Sequence, residues 1–151
     1  MKILSLISLF LISFNSLSCP ELSGKYFCQN SNREVTELSL KFRNENQVYI
    51  YDFVEASRPG SWIVDGQEHR QPVVQMDGVS NLRYVARCTE RQLLLSLDGD
   101  LNDLSSKISL NISMSLDAQS NLVQETNGMI NGSTPLPIIE ATCYRGTSVS
   151  L

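Results

Sequence analysis

Lys107-Ile-Ser-Leu-Asn-Ile-Ser-Met-Ser-Leu116 is the stretch that decides the fold. Ile108, Leu110, Ile112, Met114 and Leu116 alternate without a fault with Ser109, Asn111, Ser113 and Ser115. Successive side chains of a strand point to opposite faces, so a strict period of two predicts a strand with one buried face. A helix written with this pattern would spread its apolar groups around the whole barrel of the helix and bury none of them well.

The same signature extends in both directions. Val35 to Arg43 sends Leu38, Leu40 and Phe42 one way and Glu37, Ser39, Lys41 and Arg43 the other. Gln47 to Val54 is apolar or aromatic on both faces, the composition of a strand covered twice or lending one face to a binding surface. Asn81 to Thr89 places Leu82, Tyr84, Ala86 and Cys88 on one side. Shorter strands are predicted at Lys25–Gln29, Trp62–Val64, Pro72–Met76, Gln92–Leu97, Leu122–Thr126 and Ile138–Tyr144. Between them lie turn formers: Asn30-Ser-Asn32, Asn44-Glu-Asn46, Asp65-Gly66, Asp77-Gly78, Asp98-Gly-Asp100, Asp117 to Asn121, Asn127-Gly128 and Asn131-Gly132. Arg58-Pro-Gly-Ser61 is expected to interrupt the pattern. No segment carries a sustained helical stripe. The expectation is an all-β fold: a single antiparallel, mostly up-and-down β-barrel of about 8–10 strands, closed first strand to last so that no sheet edge is left bare.

Residues 1–18 read as a signal peptide. Lys2 is followed by an apolar run from Ile3 to Phe14, too short to span a bilayer, and Ser16 and Ser18 are the small residues before a cut at Cys19. Residues 19–151 then form a single barrel domain, secreted or periplasmic. A lipid-modified cysteine at position 19 is the competing reading. Ser16-Leu17 reverses the usual Leu and small-residue order of such sites, and lipidation would leave three cysteines unpaired in an oxidising compartment. With 12 basic and 16 acidic side chains, net −4, the chain has no electrostatic case for nucleic acid or an anionic membrane. The four cysteines imply two disulfides, with three pairings open. Barrel closure would bring Cys28 on the first strand to Cys143 on the last, leaving Cys19 for Cys88.

Catalytic signatures are missing. His69 is the one histidine, in the polar run Asp65-Gly-Gln-Glu-His-Arg70, and reads as a solvated loop residue. Nucleophile-elbow, metalloprotease and phosphate-loop motifs are absent, and no Cys-x-x-Cys suggests a metal, so no enzyme activity, cofactor or metal is expected. Asp98-Gly-Asp100-Leu-Asn-Asp103 lacks the closing Glu of a calcium loop and reads as a solvated turn. Tyr49, Tyr51, Phe53 and Trp62 are the candidates for a ligand-facing aromatic set, weighed against ordinary core. Asn111-Ile-Ser113 and Asn131-Gly-Ser133 match the glycosylation acceptor pattern.

The Leu22-Ser-Gly-Lys-Tyr26 opening, the Trp62-Ile-Val-Asp-Gly-Gln-Glu-His69 stretch and the terminal Ala141-Thr-Cys-Tyr144 strand together resemble small secreted bacterial proteins of lipocalin-like type. The resemblance implies a barrel that holds a small apolar or amphipathic ligand. Lipocalins open on Gly-x-Trp, with a basic residue from a later strand packed over the Trp; here the aromatic is Tyr26, and spacing does not identify its basic partner. Tyr26-Phe-Cys28 is also similar to the first strand of small disulfide-held barrels that inhibit cell-wall hydrolases. That resemblance implies an interaction protein presenting a rigid loop, with Ala56 to Trp62 the candidate. Either way the expected state is a monomer whose partner is a small molecule or a protein.

Overall fold

In the computed structural model, which describes residues 18–29, 34–71, 78–102 and 105–146, the Lys107–Leu116 stretch is a strand over its full length. Eleven strands form one antiparallel sheet: β1 (Gly24–Gln29), β2 (Val35–Glu45), β3 (Val48–Glu55), β4 (Arg58–Val64), β5 (Glu68–Arg70), β6 (Val79–Cys88), β7 (Leu93–Leu101), β8 (Lys107–Leu116), β9 (Leu122–Ile130), β10 (Thr134–Pro135) and β11 (Ile139–Arg145). The spatial order is β4-β3-β2-β1-β11-β9-β8-β7-β6-β5, with β10 on β9. The sheet is therefore a nearly closed up-and-down barrel. The signal-peptide segment 1–17, the turn at Asn30 to Asn32 and the strand expected at Pro72 to Met76 lie outside the described residues.

Alternation explains the core. Cross-strand rows such as Leu95↔Ile112 and Leu93↔Met114 put the apolar face of β8 against the same face of its neighbours. Leu22, Tyr26, Leu38, Leu40, Tyr51, Phe53, Trp62, Tyr84, Ala86, Leu93, Leu95, Met114, Leu122 and Cys143 make one buried cluster. No polar or charged side chain is buried among the described residues.

First strand meets last as the meander requires. Cys28 stands directly opposite Cys143 in the β1–β11 ladder and is bonded to it. The second disulfide joins Cys19 to Cys88 at the end of β6. It ties a strap, residues 18–23, across the end of the barrel that carries the β2–β3, β4–β5, β6–β7 and β8–β9 turns. Leu22 of the strap is fully buried, the Tyr26 hydroxyl donates to its carbonyl (2.9 Å), and the Tyr51 hydroxyl donates to the Pro20 carbonyl (2.5 Å).

The remaining seam lies between β4 and β6. Isolated bonds bridge it in place of a continuous ladder: Ile63 N–H donates to the Tyr84 side-chain Oη (3.1 Å), and Gly66 N–H to the Ala86 backbone carbonyl (3.1 Å).

Several expected turns are strand instead. Asp98-Gly-Asp100 lies within β7, and Asn127-Gly128 within β9. These glycines mark close approach rather than reversal. A Cβ at Gly128 would sit 2.6 Å from the Ser109 carbonyl and 2.5 Å from Leu110, its cross-strand partner. Val79 and Leu82 similarly fill the space beside Gly99. Arg58-Pro-Gly-Ser61 belongs to β4, because the β3–β4 reversal needs only Ala56 and Ser57, both at positive φ (46° and 65°). Pro59 is tolerated there because β4 has a ladder on one side only. The β2–β3 turn is Asn46-Gln47 (φ 51° and 69°), so β2 continues through Asn44 and Glu45.

Two measurements follow from this packing. Gly128→Ala should lower stability by about 1–3 kcal/mol in urea unfolding, since the new methyl has no room. Cys28→Ala/Cys143→Ala should cost about 2–5 kcal/mol, read from the same midpoint shift, because the bond closes a long loop in the unfolded chain.

Candidate functional site

The four aromatic candidates share the inward face of β3 and β4 but not one environment. Phe53 and Trp62 stack with ring centroids 4.0 Å apart, and both are buried. Tyr51 is fully buried, tilted against Phe42 at 5.1 Å, and burial raises its hydroxyl well above the ordinary phenol range. These three rings are wall-to-wall core with Tyr26, Tyr84 and the leucines. Tyr49 alone keeps part of its surface open, one face stacked on Phe42 at 5.5 Å.

Arg145 is the residue the sequence did not reveal. Its guanidinium lies over the Tyr26 ring, 5.9 Å from the centroid, and Nη2 donates to the Ser23 carbonyl (2.5 Å). Gly24 makes the approach feasible: a Cβ there would be 3.0 Å from the Tyr26 ring and 3.1 Å from Arg145 Nε. The signal was available. Once Cys28 pairs with Cys143 in an antiparallel ladder, the residue two before must face the residue two after, which sets Tyr26 opposite Arg145.

His69 is not a free loop residue. It stands in β5, half-buried, with Nε2 2.9 Å from Asp65 Oδ1 and its ring stacked on Tyr84 at 5.3 Å. Gln67 N–H and His69 together hold the Asp65 carboxyl below the usual range against the opposing effect of burial. The pair ties β5 to the end of β4. The Oη of Tyr84, whose ring stacks on His69, accepts the seam bond from Ile63 N–H.

The acidic run at Asp98 is dispersed along a strand. Asp98 accepts from Ser109 (2.5 Å), and Asp100 from Asn81 (2.9 Å). No group of three or more metal-ligating side chains occurs among the described residues; Asp103 lies outside them. On the outer face, Asp52 takes a forked pair of bonds from Arg43 (2.6 and 3.2 Å) and one from Ser61 (2.6 Å). The Arg43 bonds are the main reason its carboxyl lies below the ordinary value.

At the end of the barrel opposite the strap, the chain exposes apolar side chains. Ile138 is 65% exposed, Ile139 61% and Met129 48%. Pro135 and Pro137 precede Ile138, and the N–H of Leu136 between them is held by the Gly128 carbonyl (2.9 Å). The Ala56–Trp62 segment expected to serve as a presentation loop does not have that shape: two turn residues lead into β4, which ends in buried Trp62.

No protein family, curated protein or solved structure matches the chain. Among the described residues no helix is long and apolar enough to cross a membrane.

Asp52 gives this face an acid-sensitive component. A carboxyl whose folded pKa is depressed contributes stability that is fully present above the unfolded value of about 3.9 and is lost as pH falls through the folded one. Unfolding midpoints of the parent chain should therefore drop below pH ~4, and Asp52→Asn should make that decline shallower while lowering the neutral-pH midpoint.

Proposed function

We propose that this chain is a secreted or periplasmic, disulfide-held interaction protein, a monomeric barrel that binds a partner protein through a fixed apolar ridge and performs no catalysis. The observation that carries this reading is Ile138-Ile139, exposed directly after Pro137 on a barrel whose own core is occupied. Exposed branched apolar residues cost solvation unless something covers them. Pro135 and Pro137 restrict the backbone beside them, so little ordering remains to oppose binding. Two disulfides support an oxidising compartment. Inhibition of a hydrolase is one form such binding takes.

A second reading has its own support. Arg145 over Tyr26 repeats the arrangement that lipocalin-like proteins make with Gly-x-Trp, and the strap closes the adjoining end of the barrel. On this reading the chain carries a small apolar ligand. Tyr51, Phe53 and Trp62 support it less well, because each is already packed against other rings.

A photo-crosslinking residue at position 138, in unreduced protein made in its secreting host, separates the two. The interaction reading expects one discrete crosslinked protein, lost when Ile139→Ser and Met129→Ser are added. If no adduct forms and native mass spectrometry finds a small molecule released on denaturation, the carrier reading replaces it.

A further inference from the structure

The strap divides the end of the barrel it crosses, and on the β3–β4 side it leaves an open cleft of about 650 Å³. Tyr49, Asn44, Gln47 and Arg87 line it, together with Asp65 and its neighbours. Two neighbouring arginines are engaged. Arg43 is held by Asp52, and Arg83 by Glu68 (3.3 Å). Arg87 makes no hydrogen bond or ion pair among the described residues. Its side chain lies along the Gly66 backbone, where a Cβ would be 3.6 Å from Nε. Tyr49 is the one member of the β3 aromatic row that reaches the cleft, and its hydroxyl carries no bond among the described residues. Asn44, opposite Tyr49 at the end of β2, and Gln47 in the β2–β3 turn add two amide side chains.

We propose that this cleft binds a saccharide carrying a single carboxylate, a uronic-acid unit. The sugar's C–H face would stack on Tyr49, its hydroxyls would meet the amides of Asn44 and Gln47, and its carboxylate would take the forked guanidinium of Arg87. Charge limits the ligand. One unpaired guanidinium on a chain of net −4, with Asp65 among the lining residues, balances one negative charge and disfavours a phosphate dianion or a polyanion. The cleft's openness and amides suit a hydroxylated ligand better than a wholly apolar one, which would need an enclosed pocket. This site lies at the opposite end from Ile138-Ile139 and does not rest on the partner-binding reading.

The test is an amide ¹H–¹⁵N titration of the disulfide-intact protein with the methyl glycoside of galacturonic acid, its methyl ester and adenosine monophosphate. The acid should produce saturable shifts centred on Asn44, Gln47, Tyr49, Gly66 and Arg87. The methyl ester should bind about tenfold or more weakly, as should the acid to Arg87→Gln, the expected loss of one charge-assisted contact. Arg87 is exposed, so Arg87→Gln should leave the spectrum away from the cleft unchanged. Three results overturn the proposal: no saturable shift at these residues up to about 50 mM, well past a millimolar Kd; equal binding of acid and ester; or tighter binding of the nucleotide.

Discussion

The pairing of β1 with β11 is the constraint on which the rest of this structure depends. Until those strands meet, the meander is an open sheet with two bare edges and an apolar face turned to water. Their register, set by Cys28 opposite Cys143, is one of the longest-range contacts in the chain and is covalently fixed. A slip of one residue there would turn Tyr26 outward and push Phe27 into the core. The same register delivers Arg145 to Tyr26, and through Ser23 it anchors the strap. Closure, the strap and the burial of Leu22 are thus consequences of one ladder.

The opposite side of the barrel is built differently. Between β4 and β6 the backbone ladder lapses, and Tyr84, Asp65 and His69 take its place. A side-chain bridge makes fewer bonds per residue than a ladder, so this seam is the region expected to open at the lowest free energy. The chain has placed an aromatic stack and a histidine–carboxylate hydrogen bond there rather than leaving exposed backbone. That choice explains why the sequence's one histidine is half-buried in a strand and not free in a loop.

Much of this was legible. Period two is a local property, and the long alternating runs of β2, β6 and β8 appear where Val35 to Arg43, Asn81 to Thr89 and Lys107 to Leu116 predict them. Several of the failures are at glycines and prolines. Gly99 and Gly128 carry turn dipeptides in the sequence, yet each serves a neighbour across the sheet: Val79 in one case, Leu110 in the other. A dipeptide cannot disclose what will press against it from another strand. Pro59 misleads for a related reason, since its cost depends on whether its strand has neighbours on both sides. The aromatic set shows the same limit. Tyr49, Tyr51 and Phe53 are equivalent by alternation, and only the position of each along the barrel separates a core ring from one that opens to a cleft.

That separation bears on how a filled barrel can act. When rings and leucines occupy the interior, recognition moves to the ends, where side chains leave the core without a layer above them. The two ends here differ in chemistry. One carries branched apolar residues directly after a Pro-Leu-Pro run, suited to a dry, protein-like contact. The other carries an aromatic edge, two amides and an unpaired guanidinium beside the strap, suited to a wet polar ligand. The strap's disulfide keeps the second end rigid without sealing it, because Cys19 is tied to β6 and leaves the space toward β3 open. The barrel wall then acts as a spacer that holds two unlike surfaces at a fixed distance, and its solid core is what makes that distance fixed.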